Sequence, residues 1–312
     1  MASRKRKKPL TGKNLILYTV ALLLMAMIAL FSNHETHNGT ETVETVWVDS
    51  ARGSGNMQVH YLDVGQGASA LVESDGHYML IDGGDRAHSS FVVSYLKKEG
   101  VEKLDYILAT HYHADHLNGV IGAMNAFSCD AVICPDYESD TALYQSLKKT
   151  ADEKKIPLLH PAIGDAFSVG SASFTVIAPV SYTYENENNN SIGIRLANGN
   201  DTFLFTGDAE ARSEEDFCAL NTDLSCDVYL AGHHGSASST TFSLLTKALP
   251  EYVVISCGAD NSYGHPHEET LEKLEAAGVK IFRTDLQGTV IASSSGHGII
   301  FSKEPAADYS AG

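Results

Sequence analysis

Tyr106-Ile107-Leu108-Ala109-Thr110-His111-Tyr112-His113-Ala114-Asp115-His116 sets three histidines and an aspartate directly after a strand-like apolar run. With histidine and aspartate each about one residue in twenty, those four at fixed places arise by chance in about two of a thousand chains of this length. Residues leaving a strand in an extended turn point alternately. His111 and His113 are therefore expected to face one point, and Asp115 and His116 another. Neutral imidazole and carboxylate suit Zn²⁺ or Mn²⁺, and two such clusters side by side suit two divalent metal ions about 3.5 to 4 Å apart. A solvated histidine-rich turn is the weaker reading.

Outward from this stretch, short apolar runs bounded by glycines predict strands at residues 58–64, 68–73, 78–81, 106–109 and 131–134, with helices at 89–99 and 140–154. The second half repeats the style. Strands are expected at 173–177, 192–196, 203–206, 228–231, 252–256, 280–283 and 289–292, and helices at 210–220, 240–249 and 268–277. This is an α/β chain with strands in both halves and no short repeat.

The 312 residues are 43% hydrophobic with a formal net charge of -17, enough for a substantial core and unlike a disulfide mini-protein or a disordered chain. Six of the 22 basic residues are Arg4, Lys5, Arg6, Lys7, Lys8 and Lys13, and no acid precedes Glu35. The remainder carries 16 basic against 39 acidic side chains, a balance of -23, so a polyanion must be held locally and not by a general basic surface.

Residues 15–31 are apolar apart from Tyr18 and Thr19. As a helix at about 1.5 Å per residue the run approaches the ~30 Å hydrocarbon thickness. It exceeds a typical signal-peptide apolar region, and Ala29-Leu30-Phe31 ends in a bulky residue, so an uncleaved anchor is favoured over a cleaved leader. The expected organisation is a basic cytoplasmic tail at 1–13, an anchor at 14–33, a stalk at 34–56, one folded domain at 57–303 and a tail at 304–312. Positive-inside bias places the folded domain outside the cell.

Cys134 and Cys257 end apolar runs and read as core residues, whereas Cys218 and Cys226 could bridge in an oxidising compartment, with Cys129 also present. Ser236, Ser238, Ser239 and Thr240 read as a helix cap, since no Gly-x-Ser-x-Gly elbow occurs. No phosphate-loop motif indicates nucleotide-driven work.

Seven further segments accompany the histidine cluster: Tyr61-Leu62-Asp63-Val64-Gly65-Gln66-Gly67, Leu80-Ile81-Asp82-Gly83-Gly84, Asn188-Asn189-Asn190-Ser191, Phe205-Thr206-Gly207-Asp208-Ala209-Glu210, Gly232-His233-His234-Gly235-Ser236, Tyr263-Gly264-His265-Pro266-His267 and Arg283-Thr284-Asp285-Leu286-Gln287-Gly288-Thr289. In this order they resemble the metallo-β-lactamase superfamily, and within it the extracellular hydrolase domain of ComEC-type competence proteins, over roughly residues 58–301.

The resemblance implies an αββα sandwich, two sheets covered outside by helices, with the metals where strand-end loops meet. It implies that His111 and His113 bind one metal, that Asp115 and His116 bind the other, that Asp208 bridges both, and that His234 completes the second site, with His233 its substitute. Asp82 is expected to hydrogen-bond a ligand histidine and fix its ring, or else to be an ordinary turn aspartate. Asp115 and His265 are the candidate catalytic side chains. For His265 the options are binding phosphate, protonating a leaving group, or an ordinary surface position.

Two places depart from the pattern. Residues 180–191 lack the superfamily's third histidine ligand, so one metal site is open or weak. Ala68 stands where ComEC-like chains often carry aspartate. The implied function is membrane-tethered extracellular hydrolysis of a phosphodiester, with DNA the first substrate to test, through a dinuclear metal-bound hydroxide. The rivals are an envelope phosphodiesterase on phosphorylcholine or teichoic acid type substrates and a noncatalytic envelope binding protein.

Overall fold

The computed structural model describes residues 57–307. The segments read above as basic tail, anchor and stalk lie outside the described residues. Among those described, no helix is long and apolar enough to cross a membrane.

The first half runs β1 (Met57–Tyr61), β2 (Ala70–Ser74), β3 (His77–Ile81), α1 (Ser89–Lys98), β4 (Lys103–Leu108), α2 (Ala114–Ala126), β5 (Ser128–Ile133), α3 (Ala142–Lys154) and β6 (Leu158–Leu159). The second runs β7 (Ala166–Val169), β8 (Ala172–Ala178), β9 (Gly193–Asn198), β10 (Asp201–Phe205), α4 (Ala211–Cys218), β11 (Val228–Leu230), α5 (Phe242–Ala248), β12 (Tyr252–Ile255), α6 (Glu268–Ala276), β13 (Lys280–Arg283), α7 (Thr284–Gln287), β14 (Val290–Ser294) and β15 (Ile299–Phe301). One sheet has the order β15-β14-β1-β2-β3-β4-β5-β6 and the other β13-β12-β11-β10-β9-β8-β7.

Side-chain alternation explains the layering. Met79 and Ile81 of β3, and Phe203 and Phe205 of β10, enter the core between the sheets. Leu80 packs outward with residues of α1, α2 and α3, and Leu204 outward with those of α4, α5 and α6. Strands covered on both faces need apolar residues at successive positions, hence their short continuous apolar runs. The four layers are helix, sheet, sheet, helix, as the resemblance implied.

Strands β3 to β6 pair in parallel, as do β10 to β13, with α1, α2 and α3 crossing over in one half and α4, α5 and α6 in the other. Loops leaving β3, β4, β10, β11 and β12 are therefore the ones that carry the chemistry-bearing residues, as open α/β sheets favour at the carboxyl ends of their strands.

The structure corrects several local expectations. The extended turn after β4 lasts only to His113, after which α2 begins. Asp115 and His116 thus lie in a first helical turn, where an acid is favoured by the exposed N–H groups. The cap of α5 is Thr241, whose side chain accepts from Leu244 N, and not the preceding serines or Thr240. All five cysteines are free. Residues at the start of the expected tail are tied to the domain: Gln287 Nε2 donates to Glu304 O at 2.7 Å, and Ala306 N to Ile281 O at 2.7 Å.

Candidate metal centre

Asp115 and His116 at the start of α2, Asp208 after β10 and His234 after β11 offer four ligand atoms within 4.8 Å of one another. Three are buried and Asp115 is partly open. His116 Nε2 lies 3.2 Å from Asp208 Oδ1 and 3.2 Å from His234 Nε2. His234 Nε2 lies 3.3 Å from Asp115 Oδ2 and 3.5 Å from Asp208 Oδ2.

Each imidazole is held from behind. Asp82, at φ +55 just past β3, accepts from Thr110 N and Thr110 Oγ1 at 2.8 Å and meets His116 Nδ1 at 2.8 Å. A carboxylate there accepts a hydrogen bond from Nδ1–H and leaves His116 Nε2 toward the other three residues. The ordinary-turn reading of Asp82 falls away, because the side chain is buried and fully used. Gly83 makes this approach possible: a Cβ on it would run into the backbone of Gly119 and Val120 in α2, and its own N–H donates to His116 O at 2.7 Å. His234 Nδ1 donates to Ser256 O at 3.1 Å, so its Nε2 also faces the centre. His233 and His234 adopt left-handed φ of +49 and +56, a strained pair within Gly232–Gly235.

The other expected ligands stand close by. His111 Nε2 is 3.8 Å from Asp208 Oδ2, buried, and without a hydrogen-bond partner. The His111 ring centroid lies 4.2 Å from that of His116 and 4.7 Å from that of His113. His113, with 42% of its side chain exposed, has Nε2 3.8 Å from Glu187 Oε2 and is outside the four-residue cluster. His233 Nε2 is 3.7 Å from Asp208 Oδ2 and likewise outside it.

Asn188, in the segment lacking the third histidine, donates through Nδ2 to Glu210 Oε1 at 3.1 Å, while its buried Oδ1 has no partner. Its neighbours brace Asp208 and α4. Ser191 Oγ accepts from Asp208 N at 3.1 Å, and Asn189 Oδ1 accepts from Glu210 N at 3.0 Å and Ser213 N at 3.3 Å.

The electrostatics call for positive charge. Burial opposes ionisation of His116, but Asp208 and Asp82 overcome it and raise its pKa. Burial also opposes charge on His234, which Asp208 and Asp115 nonetheless push up to about 9. The carboxyl groups of Asp115 and Asp208 are held below the ordinary range, because the facing histidines outweigh burial. His111 is pushed far down by burial and by the nearby His116.

Two imidazoles and two carboxylates converging fit one divalent cation held by Asp115, His116, Asp208 and His234, with the unpartnered His111 Nε2 beside them, whereas His113 is not brought into that cluster. The donor chemistry accommodates Zn²⁺ or Mn²⁺ alike.

Gln66, beside His265, and Ser256, behind His234, are residues of this region to which the sequence assigned no role. Gln66 belongs to a quoted motif and could have been suspected from it. Ser256 acts through its carbonyl, which its side-chain identity does not reveal.

The sequence profile described as metallo-beta-lactamase superfamily matches residues 62–259. The chain is 25% identical over 255 residues to ComE operon protein 3 of Bacillus subtilis, covering 76% of this chain and 33% of that protein. It is 28% identical over 230 residues to competence protein ComA of Neisseria gonorrhoeae, covering 73% and 31%. Both are ComEC-type competence proteins, and the chain spans about a third of their length. Among solved structures, the diiron beta-hydroxylase CmlA of Streptomyces venezuelae matches with a TM-score of 0.51 at 14% identity, covering 74% of this chain and 53% of that one, a likeness of fold.

Proposed function

The chain belongs to the metallo-beta-lactamase superfamily, and from that premise we propose that it is a metal-dependent phosphodiesterase acting on DNA outside the cell, tethered by the apolar run at residues 15–31. The carrying observation is the convergence of Asp115, His116, Asp208 and His234 within 4.8 Å, with unpartnered His111 Nε2 beside them. Similarity to ComEC-type competence proteins supports the choice of DNA.

A divalent pair held there supplies Lewis acidity, acidifying water and offsetting charge on phosphoryl oxygens. The protein's own part is orientation. Asp82 and the Ser256 carbonyl lock the ligand rings, and Asp208 faces His116 through Oδ1 at 3.2 Å and His234 and His111 through Oδ2 at 3.5 and 3.8 Å. Asp115, the one carboxylate of the set open to solvent, is placed to accept a hydrogen bond from incoming water.

The acidic remainder of the chain favours a second reading, an envelope phosphodiesterase on a smaller substrate such as a phosphorylcholine or teichoic acid type phosphodiester. The deciding experiment incubates the purified chain with Mn²⁺ or Zn²⁺ and single- or double-stranded DNA, beside Asp208→Ala. Metal-dependent cleavage lost in the variant is expected. Intact DNA with a metal-loaded protein that cleaves small phosphodiesters would select the second reading, and inactivity on both would remove the enzyme.

A further inference from the structure

His265 is buried, with its ring centroid 5.5 Å from that of His233 and 6.2 Å from that of His234. Its Nδ1 lies 3.1 Å from Gln66 Nε2. The far end of that amide decides which way round it sits: Gly258 N donates to Gln66 Oε1 at 3.3 Å. Reversing the amide would set a backbone N–H against an NH₂, two donors with no acceptor between them. Gln66 Nε2 is therefore the donor, His265 Nδ1 the acceptor, and the proton of the neutral ring sits on Nε2. That Nε2 makes no hydrogen bond among the described residues.

The arrangement is held at both ends. A Cβ on Gly258 would meet Gln66 N at 2.7 Å and Gly65 C at 3.1 Å, so only glycine lets the donor come this close. Asn261 knits the loop below the ring. Its Nδ2 donates to the carbonyls of Gly258 and His265 at 2.8 and 2.5 Å, and its Oδ1 accepts from His265 N at 3.0 Å.

We propose that Gln66 is a positioning residue that holds His265 as the neutral tautomer protonated on Nε2, making His265 a hydrogen-bond donor to a phosphoryl oxygen and excluding it as a general base. A neutral imidazole N–H donates a hydrogen bond without readily surrendering its proton. Of the two functional roles left open by the sequence, anion binding is thus selected over leaving-group protonation. The identity of the anion rests on the phosphodiesterase reading, and the tautomer does not.

The test is long-range ¹H–¹⁵N NMR on the full chain labelled with ¹⁵N-histidine, with the His265 signals assigned by their loss in His265→Ala. At pH 7.5 the wild type is expected to show a bare Nδ1 and a protonated Nε2. In Gln66→Glu, where a carboxylate accepts in place of the donating amide, Nδ1 should gain a proton. A protonated Nδ1 in the wild type, or a bare Nδ1 persisting in Gln66→Glu, would overturn the assignment. Calorimetric titration of inorganic phosphate into the Mn²⁺-loaded chain should weaken roughly tenfold in His265→Ala, the scale of one hydrogen bond to a charged group. Unchanged phosphate affinity would overturn the donor role. A wild type inert toward phosphodiesters but with the expected NMR signature and phosphate loss would sink the phosphodiesterase reading and uphold this one.

Discussion

His234 and His265 stand with ring centroids 6.2 Å apart, yet their ring protons are assigned to opposite ends. Behind His234 is the Ser256 carbonyl, which can only accept, so the Nδ1 proton is committed there and Nε2 is the nitrogen free to become a lone pair. Behind His265 is the Gln66 amide, which donates, so Nδ1 keeps the lone pair and Nε2 the proton. Carboxylates surround the first ring and push it up to about 9, whereas burial and the neighbouring His234 and His233 push the second down to about 4. The group behind an imidazole decides whether its front suits a cation or an anion.

The severest way to break this comparison is to empty its cationic side. Asp208→Ala should lower phosphodiesterase turnover by roughly 10³-fold or more, since the central carboxylate is lost, while circular dichroism keeps the native spectrum. Near-native turnover in a folded variant would contradict the centre's role.

Asp82→Asn probes what stands behind His116. It replaces an acceptor of three hydrogen bonds by an amide that must present a donor to one of them, and should weaken Mn²⁺ or Zn²⁺ binding about 10- to 100-fold by calorimetry. Equal affinity would mean that ring orientation is set elsewhere.

On the anionic side, His265→Ala should raise KM for bis(p-nitrophenyl) phosphate about tenfold with little change in kcat, as expected for an interaction made equally in ground and transition states. A fall in kcat at constant KM would return the leaving-group role.

His60 sharpens the contrast as a buried histidine whose ring meets no carboxylate among the described residues. Its Nδ1 meets Tyr95 Oη at 2.8 Å and its Nε2 meets Gln58 Oε1 at 3.3 Å. Burial, helped by Lys98, lowers its pKa from 6.5 to about 4. The unfolded chain therefore binds the extra proton between those values, and stability is lost as pH falls from about 6.5 to 4, by about 3 kcal/mol in total. His60→Gln should change little at pH 7 and flatten that acid limb in urea unfolding. An unaltered limb would place the acid sensitivity elsewhere.

Much of the centre was legible because its residues follow strands. An apolar run such as Tyr106 to Ala109 marks where a strand ends, and the polar residues just beyond it must leave the sheet. His111 was found this way, whereas the roles of Asp82, Asp208 and His234 came from the motif resemblance, and all four stand just past strands. Helix α2 was missed because its first turn, Ala-Asp-His, carries the chemistry, and Gly119 and Gly122 interrupt its apolar face. Strands β6, β7 and β15 were missed because they are short or lie toward sheet edges, where partner strands more than side-chain pattern define them.

By itself the sequence determined the histidine-aspartate cluster, an α/β chain with strands in both halves and the order of the motifs, since these depend on residue type and local periodicity, and the resemblance those motifs carry implied the two-sheet class and the remaining donors. Only the tertiary structure decided which donors converge, that His234 and not His233 joins the four-residue cluster, and which nitrogen of each ring carries the proton. Those outcomes depend on groups distant in the chain, such as Ser256 behind His234 and Gly258 behind Gln66, and a hydrogen bond's direction follows from what the fold brings to its other end.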